Sequence, residues 1–301
     1  MGNLPVRFKK GPQDSLPEEF DEGTVLIATD TGGMYLGQGY ELPLLPLGGT
    51  DLLPDDTSGA PGGQFLVAGN KQAGYFGEVS VDLLMSGTAL CAAIGLSGGS
   101  AQNSTVNWLK FSFQNKILFV NRKTIRRNLS WGSIYQAGAV YGTGQEISAR
   151  EQWMLENDPN YSLANRVPQG AQVAINGLTY KVRLLKGLAG ATSDSFQDDL
   201  GALGPENEWN ALMLPIHEHA PNNWSYPQYA GITSNWEIGF SNESLLTHNA
   251  HGNGAYTLCQ EAGDISPSAR IGRGYEGVSS LLLEPPANIT RGLRFVLELI
   301  D

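Results

Sequence analysis

Two histidines and a carboxylate stand together in this chain, at His217, Glu218 and His219. Imidazole nitrogens and carboxylate oxygens are common metal ligands, and side chains at positions i and i+2 share one side of a strand. His248 and His251 could add a further ligand. No HExxH pattern or comparable fixed spacing accompanies them, and surface histidines are the simpler interpretation. We therefore predict neither a metal site nor a cofactor.

A second group of residues has the chemistry of binding. It lies between about residues 217 and 254, a stretch rich in Asn, Ser, Gly, Trp and Tyr without clear periodicity, as functional loops often are. Trp and Tyr supply rigid contact area and can stack on sugars, and Asn supplies adaptable hydrogen bonds. The alternative is that each side chain only pins the loop to its domain. The candidate receptor-binding residues are Trp224, Tyr226, Tyr229, Trp236, Asn242, His248, His251 and Asn253.

Signs of catalysis are weak. The chain has no GxxxxGK[ST] loop for phosphates. Paired carboxylates could hydrolyse a glycan, but sequence does not fix the separation of roughly 5 to 10 Å that this chemistry needs. The acidic candidates lie in a polar stretch where solvated acids are the norm: Asp194, Asp198, Asp199, Glu206 and Glu208. We predict a protein that is not an enzyme and has no catalytic residues, with a polysaccharide depolymerase as an alternative.

The charge balance argues against nucleic acid as a partner. Thirty acidic residues against nineteen basic ones give a net charge of −11, which repels a phosphate backbone unless the basic residues cluster strongly. The densest basic group comprises Arg122, Lys123, Arg126 and Arg127. Such a group is typical of a solvated face or of a contact between subunits.

Membrane insertion and a disulfide framework are not expected either. The N-terminal residues show no apolar stretch after their charges, and no later run of about 18 apolar residues could span a bilayer. The two cysteines, Cys91 and Cys259, are too few for a disulfide scaffold and too distant for a CxxC motif. We expect both to be reduced and buried.

The elements that position these residues divide the chain into four parts. Residues 1–41 contain VRFKKG and GTVLIATDTGGMYLG, which predict short strands around Asp-Thr and Gly-Gly turns. A unit of roughly 40 residues without metal or disulfide builds too small a core to fold alone, so we expect it to oligomerise. Residues 42–63 are rich in proline and glycine and predict an extended connector. Residues 64–145 form a β-rich central region, and residues 146–301 a binding domain.

Mainly β structure with short helices, a β-rich α+β class, is expected throughout. VSVDLLM and ALCAAIGLSGGSA look strand-like, and hairpins are predicted at Gln114-Asn115 and at Asn176-Gly177, where Asn-Gly suits a type I′ turn. Helices are predicted over residues 130–139 and 205–216, with Pro215 ending the second. Strands around GAYTLCQE, GVSSLLL and GLRFVLELI close the chain.

The N-terminal segment VRFKKGPQDSLPEEFDEGTVLIATDTGGMYLG resembles the opening module of many phage tail fibres and tropism determinants. There an Arg-Phe-Lys-(Arg/Lys)-Gly strand is followed by an (A/T)-T-D-T strand and a Tyr/Val-Gly ending. The resemblance implies a trimeric, prism-like β module that docks to other virion proteins. The matching residues are Arg7, Phe8, Gly11, Thr29, Asp30, Thr31 and Gly37, and we expect Arg7, Phe8, Thr29, Asp30 and Tyr35 to serve assembly.

The remainder resembles phage virion proteins whose C-terminal part is similar to C-type-lectin-like domains. The similarity lies in a late Arg-Gly segment and a terminal Gly-(Phe/Leu/Trp)-Arg-(Phe/Pro)-Val strand. The matching residues are Arg273, Gly274, Gly292, Leu293, Arg294 and Val296. This implies the fold more strongly than the function, because that fold hosts sugar binders, protein binders and one class of enzyme.

Two known activities of that superfamily do not fit the sequence. The formylglycine-generating enzymes share the closing motif, but they need a redox-active or metal-binding cysteine pair, and Cys91 and Cys259 lie far apart. Calcium-dependent lectins present Glu-Pro-Asn or Gln-Pro-Asp with Trp-Asn-Asp, whereas Glu284-Pro285-Pro286 lacks the third ligand.

The sequence therefore predicts a homotrimeric phage tail-fibre, baseplate or collar component, located in the virion. Its N-terminal module would contact other virion proteins, and its lectin-like domain would bind a host surface sugar or protein. The first alternative is a purely structural virion protein whose lectin-like domain contacts capsid or tail neighbours. The depolymerase is the second.

Overall fold

A computed structural model describes thirteen stretches of the chain. They are residues 7–11, 24–28, 34–37, 45–48, 54–146, 166–187, 207–218, 236–247, 256–262, 270–274, 277–278, 281–284 and 291–300. Contacts divide the chain into two compact units, Met1–Gly59 and Ala60–Asp301. The structure is mainly β with few short helices, and three sheets are present in the described residues, which confirms the predicted class.

The first unit contains a four-stranded sheet in the order β1-β2-β3-β4. Its strands are β1 (Arg7–Gly11), β2 (Thr24–Ala28), β3 (Met34–Leu36) and β4 (Leu45–Gly48). β1 runs parallel to β2, and the other two pairs are antiparallel. The strands predicted from VRFKKG and GTVLIATDTGGMYLG are confirmed. β4 lies within residues 42–63, so part of the expected connector belongs to this sheet.

The second unit contains two sheets built from thirteen strands. The first strands are β5 (Ala68–Gly69), β6 (Ala73–Val79), β7 (Ser100–Ala101), β8 (Trp108–Phe113), β9 (Lys116–Asn121), β10 (Arg126–Leu129) and β11 (Gln172–Ile175). The others are β12 (Leu178–Arg183), β13 (Thr257–Ala262), β14 (Arg270–Arg273), β15 (Leu281–Glu284), β16 (Arg291–Leu293) and β17 (Val296–Leu299).

The seven-stranded sheet has the order β11-β12-β17-β9-β8-β6-β5, and the six-stranded sheet has the order β15-β14-β13-β16-β10-β7. Both predicted hairpins, β8–β9 and β11–β12, are confirmed. Strands form in each closing segment, but GLRFVLELI divides into β16 and β17, which belong to different sheets. In the larger sheet, three strands from residues 146–301 lie beside four strands from residues 64–145, and the two groups meet where β17 pairs with β9. These two regions therefore share one sheet and one compact unit.

The helices are short and correct two expectations. Gly87–Ala93 forms helix α1 rather than a strand, with the Ser86 hydroxyl accepting from the Ala89 N–H as an N-cap. The second half of VSVDLLM forms a 3₁₀ turn at Val81–Leu83, so only its first valine belongs to β6. A capping serine and an alanine-rich run favour a helix over a strand here.

Helix α2 (Trp131–Gln136) confirms the helix predicted over residues 130–139, with Trp131, Ile134 and Tyr135 buried as expected. Over residues 205–216, the described part forms a single π-helical segment at Trp209–Met213, which precedes Pro215. Helix α3 (Asn242–Leu245) is capped by the Ser241 hydroxyl, which accepts from the Ser244 N–H.

The core lies on both faces of the seven-stranded sheet. Alternate residues of β8 point to opposite sides, so Trp108 joins one apolar cluster while Leu109 and Phe111 join the other. Helices α1 and α2 contribute to the first cluster, and the π-helix and α3 contribute to the second. All six residues of β8 are buried, because both faces are covered.

Gly177 should show how much the predicted turn contributes to stability. Its φ is +84°, and an added Cβ would meet no atom within 4 Å, so Gly177→Ala changes only the backbone preference. We expect the free energy of unfolding in urea to fall by about 1 to 2 kcal/mol. Gly132→Ala, inside helix α2, is the matched control and should raise that free energy by about 0.5 to 1 kcal/mol. Equal effects of the two substitutions would contradict this account.

Candidate functional site

Two of the eight candidate receptor-binding residues, Trp236 and Asn242, lie in the described part of the chain. They belong to residues 236–247, which pack on one face of the seven-stranded sheet. The other six, Trp224, Tyr226, Tyr229, His248, His251 and Asn253, lie outside the described residues. We call residues 236–247 the α3 segment.

Trp236 is half-buried and held firmly in place. Its backbone N–H donates to the Pro215 carbonyl at 3.0 Å, and its ring packs against the apolar cluster beneath it. A Cβ on Gly69 would come within 3.0 Å of the Trp236 ring, so the glycine leaves room for the indole at the edge of the sheet. The result is a rigid indole with part of its surface in solvent.

Asn242 connects the α3 segment to the chain around His217. The Nε2–H tautomer of His217 donates to the Asn242 Oδ1 at 2.9 Å, and His217 is 1% exposed. Backbone bonds run alongside: the Phe240 N–H donates to the Ile216 carbonyl, and the Glu218 N–H donates to the Phe240 carbonyl. Asn242 and His217 therefore fix the α3 segment to the chain that follows the π-helix.

The end of the α3 segment is anchored by Thr247. Its hydroxyl accepts from the Asn103 side-chain amide at 3.0 Å and from the Thr124 hydroxyl at 2.8 Å. The Gln102 side-chain amide in turn donates to the Thr124 hydroxyl at 2.7 Å. Asn103 and Thr124 thus hold Thr247 directly, and Gln102 supports Thr124.

Three of the five residues that are expected to serve assembly lie in described strands. Arg7 and Phe8 lie in β1, in register with Thr24 and Val25 of β2, and Tyr35 lies in β3. Thr29 and Asp30 lie outside the described residues.

A buried ionic cluster lies at the other end of the larger sheet. The Arg183 guanidinium donates to both oxygens of Glu208, at 2.7 and 2.6 Å, and to Glu298 at 2.8 Å. Lys116 donates to the second Glu298 oxygen at 2.7 Å, and the Lys181 ammonium lies 3.6 Å from it. Glu208 is therefore a structural ion-pair partner, not one of the solvated acids expected from sequence.

These contacts set the protonation of the cluster. Burial alone would raise the pKa of Glu298, but the Arg183 charge and the hydrogen bonds from Lys116 and Arg183 lower it to about 2. Burial opposes the charge of Arg183, yet its two carboxylate partners raise the pKa of the guanidinium above its ordinary value. Glu298 and Arg183 are therefore both ionised at neutral pH.

Beside the ionic cluster, the chain leaving β12 is held by two carboxylates. Glu208 accepts from the Lys186 N–H at 3.0 Å, and Glu261 of β13 accepts from the next N–H, that of Gly187, at 2.9 Å. The Asn207 side-chain amide donates to the Gly187 carbonyl at 3.1 Å. We call Lys186, Gly187, Asn207, Glu208 and Glu261 the Gly187 junction.

Two buried arginines, Arg273 and Arg294, lie close to the π-helix. Arg273 donates to the Asn210 side-chain oxygen at 2.6 Å, and Arg294 donates to the Leu245 carbonyl at the end of α3. Both guanidinium groups lie near the Trp209 ring, with their Cζ atoms 5.8 and 5.3 Å from its centroid. Burial lowers the pKa of Arg294 to about 9. Arg294, which lies between β16 and β17, thus holds the end of the α3 segment.

Both cysteines are free and buried, as expected from sequence. Burial raises the pKa of Cys91 and, further, that of Cys259, so neither thiol is activated as a nucleophile. Among the described residues, no three His, Cys, Asp or Glu side chains come together in a way that could hold a metal ion. Of the described helices, none is long and apolar enough to cross a membrane.

The sequence indicated the α3 segment but did not predict the ionic cluster. Arg183 and Glu298 belong to separate strands that only the sheet brings together, in register Arg183–Val296 and Lys181–Glu298. In the sequence, the ionic cluster is indicated only by Glu298, an acid between Leu297 and Leu299 in an otherwise apolar strand. No family model, no curated protein and no solved structure matches this chain.

Replacing Arg183 should test how much the buried cluster contributes to stability. Arg183→Met leaves Glu208 and Glu298 buried without their shared cation, so we expect the free energy of unfolding to fall by about 3 to 5 kcal/mol. Arg122→Met removes a half-exposed ion pair with Glu78 and is the matched control. It should cost no more than about 1 kcal/mol. Urea unfolding followed by tryptophan fluorescence measures both, and similar losses would contradict the assignment.

Proposed function

We propose that this chain is a non-enzymatic, trimeric phage virion protein of the tail fibre, baseplate or collar. Its first unit would be a prism-like assembly module, and its second a C-type-lectin-like domain that binds a host surface receptor. One observation carries the proposal. A small unit with one four-stranded sheet accompanies a large unit that holds a half-exposed tryptophan on a rigid support.

The small unit supports the assembly part of the proposal. Thr24 and Leu26 are buried, whereas Val25 and Ile27, which point to the other face of β2, keep part of their surface exposed. Leu36 pairs with Val25 and is also half-exposed. A second chain covering this apolar face would add the core that so small a unit lacks.

The α3 segment supports the binding part. Trp236, Asn242 and Thr247 are each fixed by packing or by hydrogen bonds, so a ligand would meet a surface that needs little ordering. An indole held rigidly with one part exposed suits stacking on a sugar ring or on an apolar side chain.

Binding fits this unit better than hydrolysis does. Of the acids considered for glycan hydrolysis, the described one, Glu208, is committed to Arg183 and to the Lys186 N–H. A general acid needs access to the scissile bond, whereas Glu208 is buried and both of its oxygens accept from the Arg183 guanidinium at 2.6 to 2.7 Å. In a trimer, three weak binding surfaces act together and need no deep pocket.

The oligomeric state tests the assembly part. By size-exclusion chromatography with light scattering, we expect the full chain at micromolar concentration to have three times its 32.3-kDa mass. Val25→Asp places a charge on the apolar face and should produce monomers, because an unpaired charge is costly to bury. Val67→Asp, at a position that is 62% exposed, is the matched control and should leave the mass unchanged. A monomeric wild-type chain would contradict the proposal.

Binding to host cells tests the receptor part. Trp236→Ala should weaken the attachment of labelled full-length protein to the bacterium that the phage infects by roughly tenfold or more, since truncating a central aromatic residue often costs 2 kcal/mol or more. Leu83→Ala, at another exposed apolar side chain, is the control and should bind as the wild type does. Unfolding curves must show that both variants are folded.

The other outcomes of this experiment also decide between functions. Unchanged attachment of a folded Trp236→Ala variant would remove this surface from the receptor site. Absence of any attachment by the wild type would favour a purely structural virion component. Clearance of host polysaccharide by the purified chain would favour a depolymerase.

A further inference from the structure

Lys110 is a fully buried lysine that belongs neither to the ionic cluster nor to the α3 segment. It lies in β8 with 0% of its surface exposed, in register with Phe119 of β9 and Gly77 of β6. An ammonium group at such a position has lost its hydration and needs acceptors within the protein. The acceptors of Lys110 therefore identify the part of the chain that it holds in place.

The ammonium group of Lys110 binds main-chain carbonyls in the first residues of the second unit. Its Nζ donates to the Gly63 carbonyl at 2.7 Å and to the Ala60 carbonyl at 3.4 Å. It also lies 5.1 Å from the centroid of the Phe76 ring and 5.8 Å from that of Phe119. Hydrogen bonds from a charged donor are stronger than neutral ones, and the ring faces attract the cation. Lys110 therefore ties Ala60 and Gly63 to strand β8.

Residues 60–67, which we call the strap, contain no helix or strand and lie close against β6. Gly62 has a φ of +90°, and a Cβ at this position would overlap the Val79 side chain of β6. A Cβ on Gly63 would come within 2.6 Å of a carbonyl oxygen of the same strand. The two glycines thus let the backbone of the strap approach β6 closely enough for its carbonyls to reach the lysine.

The strap leads directly into the two outermost strands at one end of the seven-stranded sheet. Among the described strands, β5 is the last of this sheet, β6 is the next, and β8 follows. β5 has two residues, so few backbone hydrogen bonds hold it to β6. Tension on the chain before Ala60 would, without the strap, separate β5 from β6 and then β6 from β8, one pair of hydrogen bonds after another. Edge strands of this kind are among the parts of a fold that open at low cost.

Lys110 changes this order of separation, because it belongs to β8 rather than to either outer strand. The bonds from its ammonium group to Ala60 and Gly63 join the entering chain to the third strand from this end of the sheet. Ala60 is itself buried in the apolar cluster on the same face. Tension therefore acts on the lysine bonds and on Ala60 before it reaches β5.

We propose that the strap and Lys110 form a lock, which keeps β5 and β6 on the sheet and must open before these strands can separate. Opening removes carbonyl acceptors from an ammonium group whose position between the Phe76 and Phe119 rings offers little hydration in their place. Opening is therefore costly, although the strap has no regular structure of its own. The lock needs no receptor and acts whatever the second unit binds, so it goes beyond the proposed function.

Hydrogen–deuterium exchange of the full chain tests the lock. Lys110→Met keeps an apolar stem beside the rings and removes the ammonium group, and replacing a buried charge by an apolar side chain of similar volume often leaves the fold intact. We expect exchange in peptides from residues 60–79 to become roughly tenfold faster or more, because bonds from a charged donor are lost. Peptides from β9 and β17 should keep their wild-type rates. Lys71→Met, at an exposed lysine between β5 and β6, is the matched control and should change neither group of peptides.

A substitution in the strap separates the lock from a general contribution of Lys110 to the core. Gly62→Ala changes no residue of the sheet but makes the strap overlap Val79, so it should also speed exchange in residues 68–79. Gly59→Ala is its control, because Gly59 has a similar φ of +77° but a Cβ there would meet no atom within 4 Å. It should leave residues 68–79 at their wild-type rates. This pair decides the question even where Lys110→Met does not fold.

Pulling the full chain by its two ends in optical tweezers measures the order of opening. In the wild type, we expect residues 60–79 to be released only together with the rest of the second unit. In Lys110→Met, an earlier step at lower force should release roughly 70 Å of chain, the extended length of these residues. Wild-type exchange in residues 60–79 of both Lys110→Met and Gly62→Ala, equal acceleration in β9 and β17, or such an early step in the wild type would overturn the proposal.

Discussion

Burial of both faces of the seven-stranded sheet is the constraint on which the rest of the second unit depends. Strand β8 lies fully inside, with Trp108 on one side and Leu109 and Phe111 on the other. Each face needs its own cover, and short helices and irregular segments supply it. The π-helix and the α3 segment cover one face, so their positions follow from apolar packing rather than from their own helical stability, which is small at this length.

The same burial makes polar groups costly unless they are paired. Arg183 enters the interior with two carboxylates, and each of its described partners is held by a second donor: Glu208 by the Lys186 N–H and Glu298 by Lys116. A buried ion pair adds little net stability compared with apolar residues, but removing one partner is costly. The cluster therefore acts mainly to specify how β12, β17 and the π-helix region fit together.

The contrast between Glu208 and Glu261 shows how the environment decides the role of a residue type. Both glutamates accept one backbone N–H at the Gly187 junction. Within the described residues, Glu208 also binds the Arg183 guanidinium and Glu261 has no such partner, and burial raises the pKa of Glu261 to about 7. The candidate binding residues show the same dependence on surroundings. Trp236 is partly exposed on a rigid support, whereas His217, which the sequence suggested to be a surface histidine, is buried and bonded to Asn242.

The sequence by itself determined the local features. Asn176-Gly177 predicts its hairpin because both residues adopt positive φ, 52° and 84°, at low cost, and the Trp131-Ile134-Tyr135 spacing predicts helix α2. The strand predicted over residues 87–93 was wrong, because small apolar residues fit either a strand or a helix. The Ser86 cap is the local feature that favours the helix. Only the tertiary structure decided that Arg183 meets Glu208 and Glu298. Such contacts join residues 25 to 115 positions apart, and their energies depend on burial that no local pattern records.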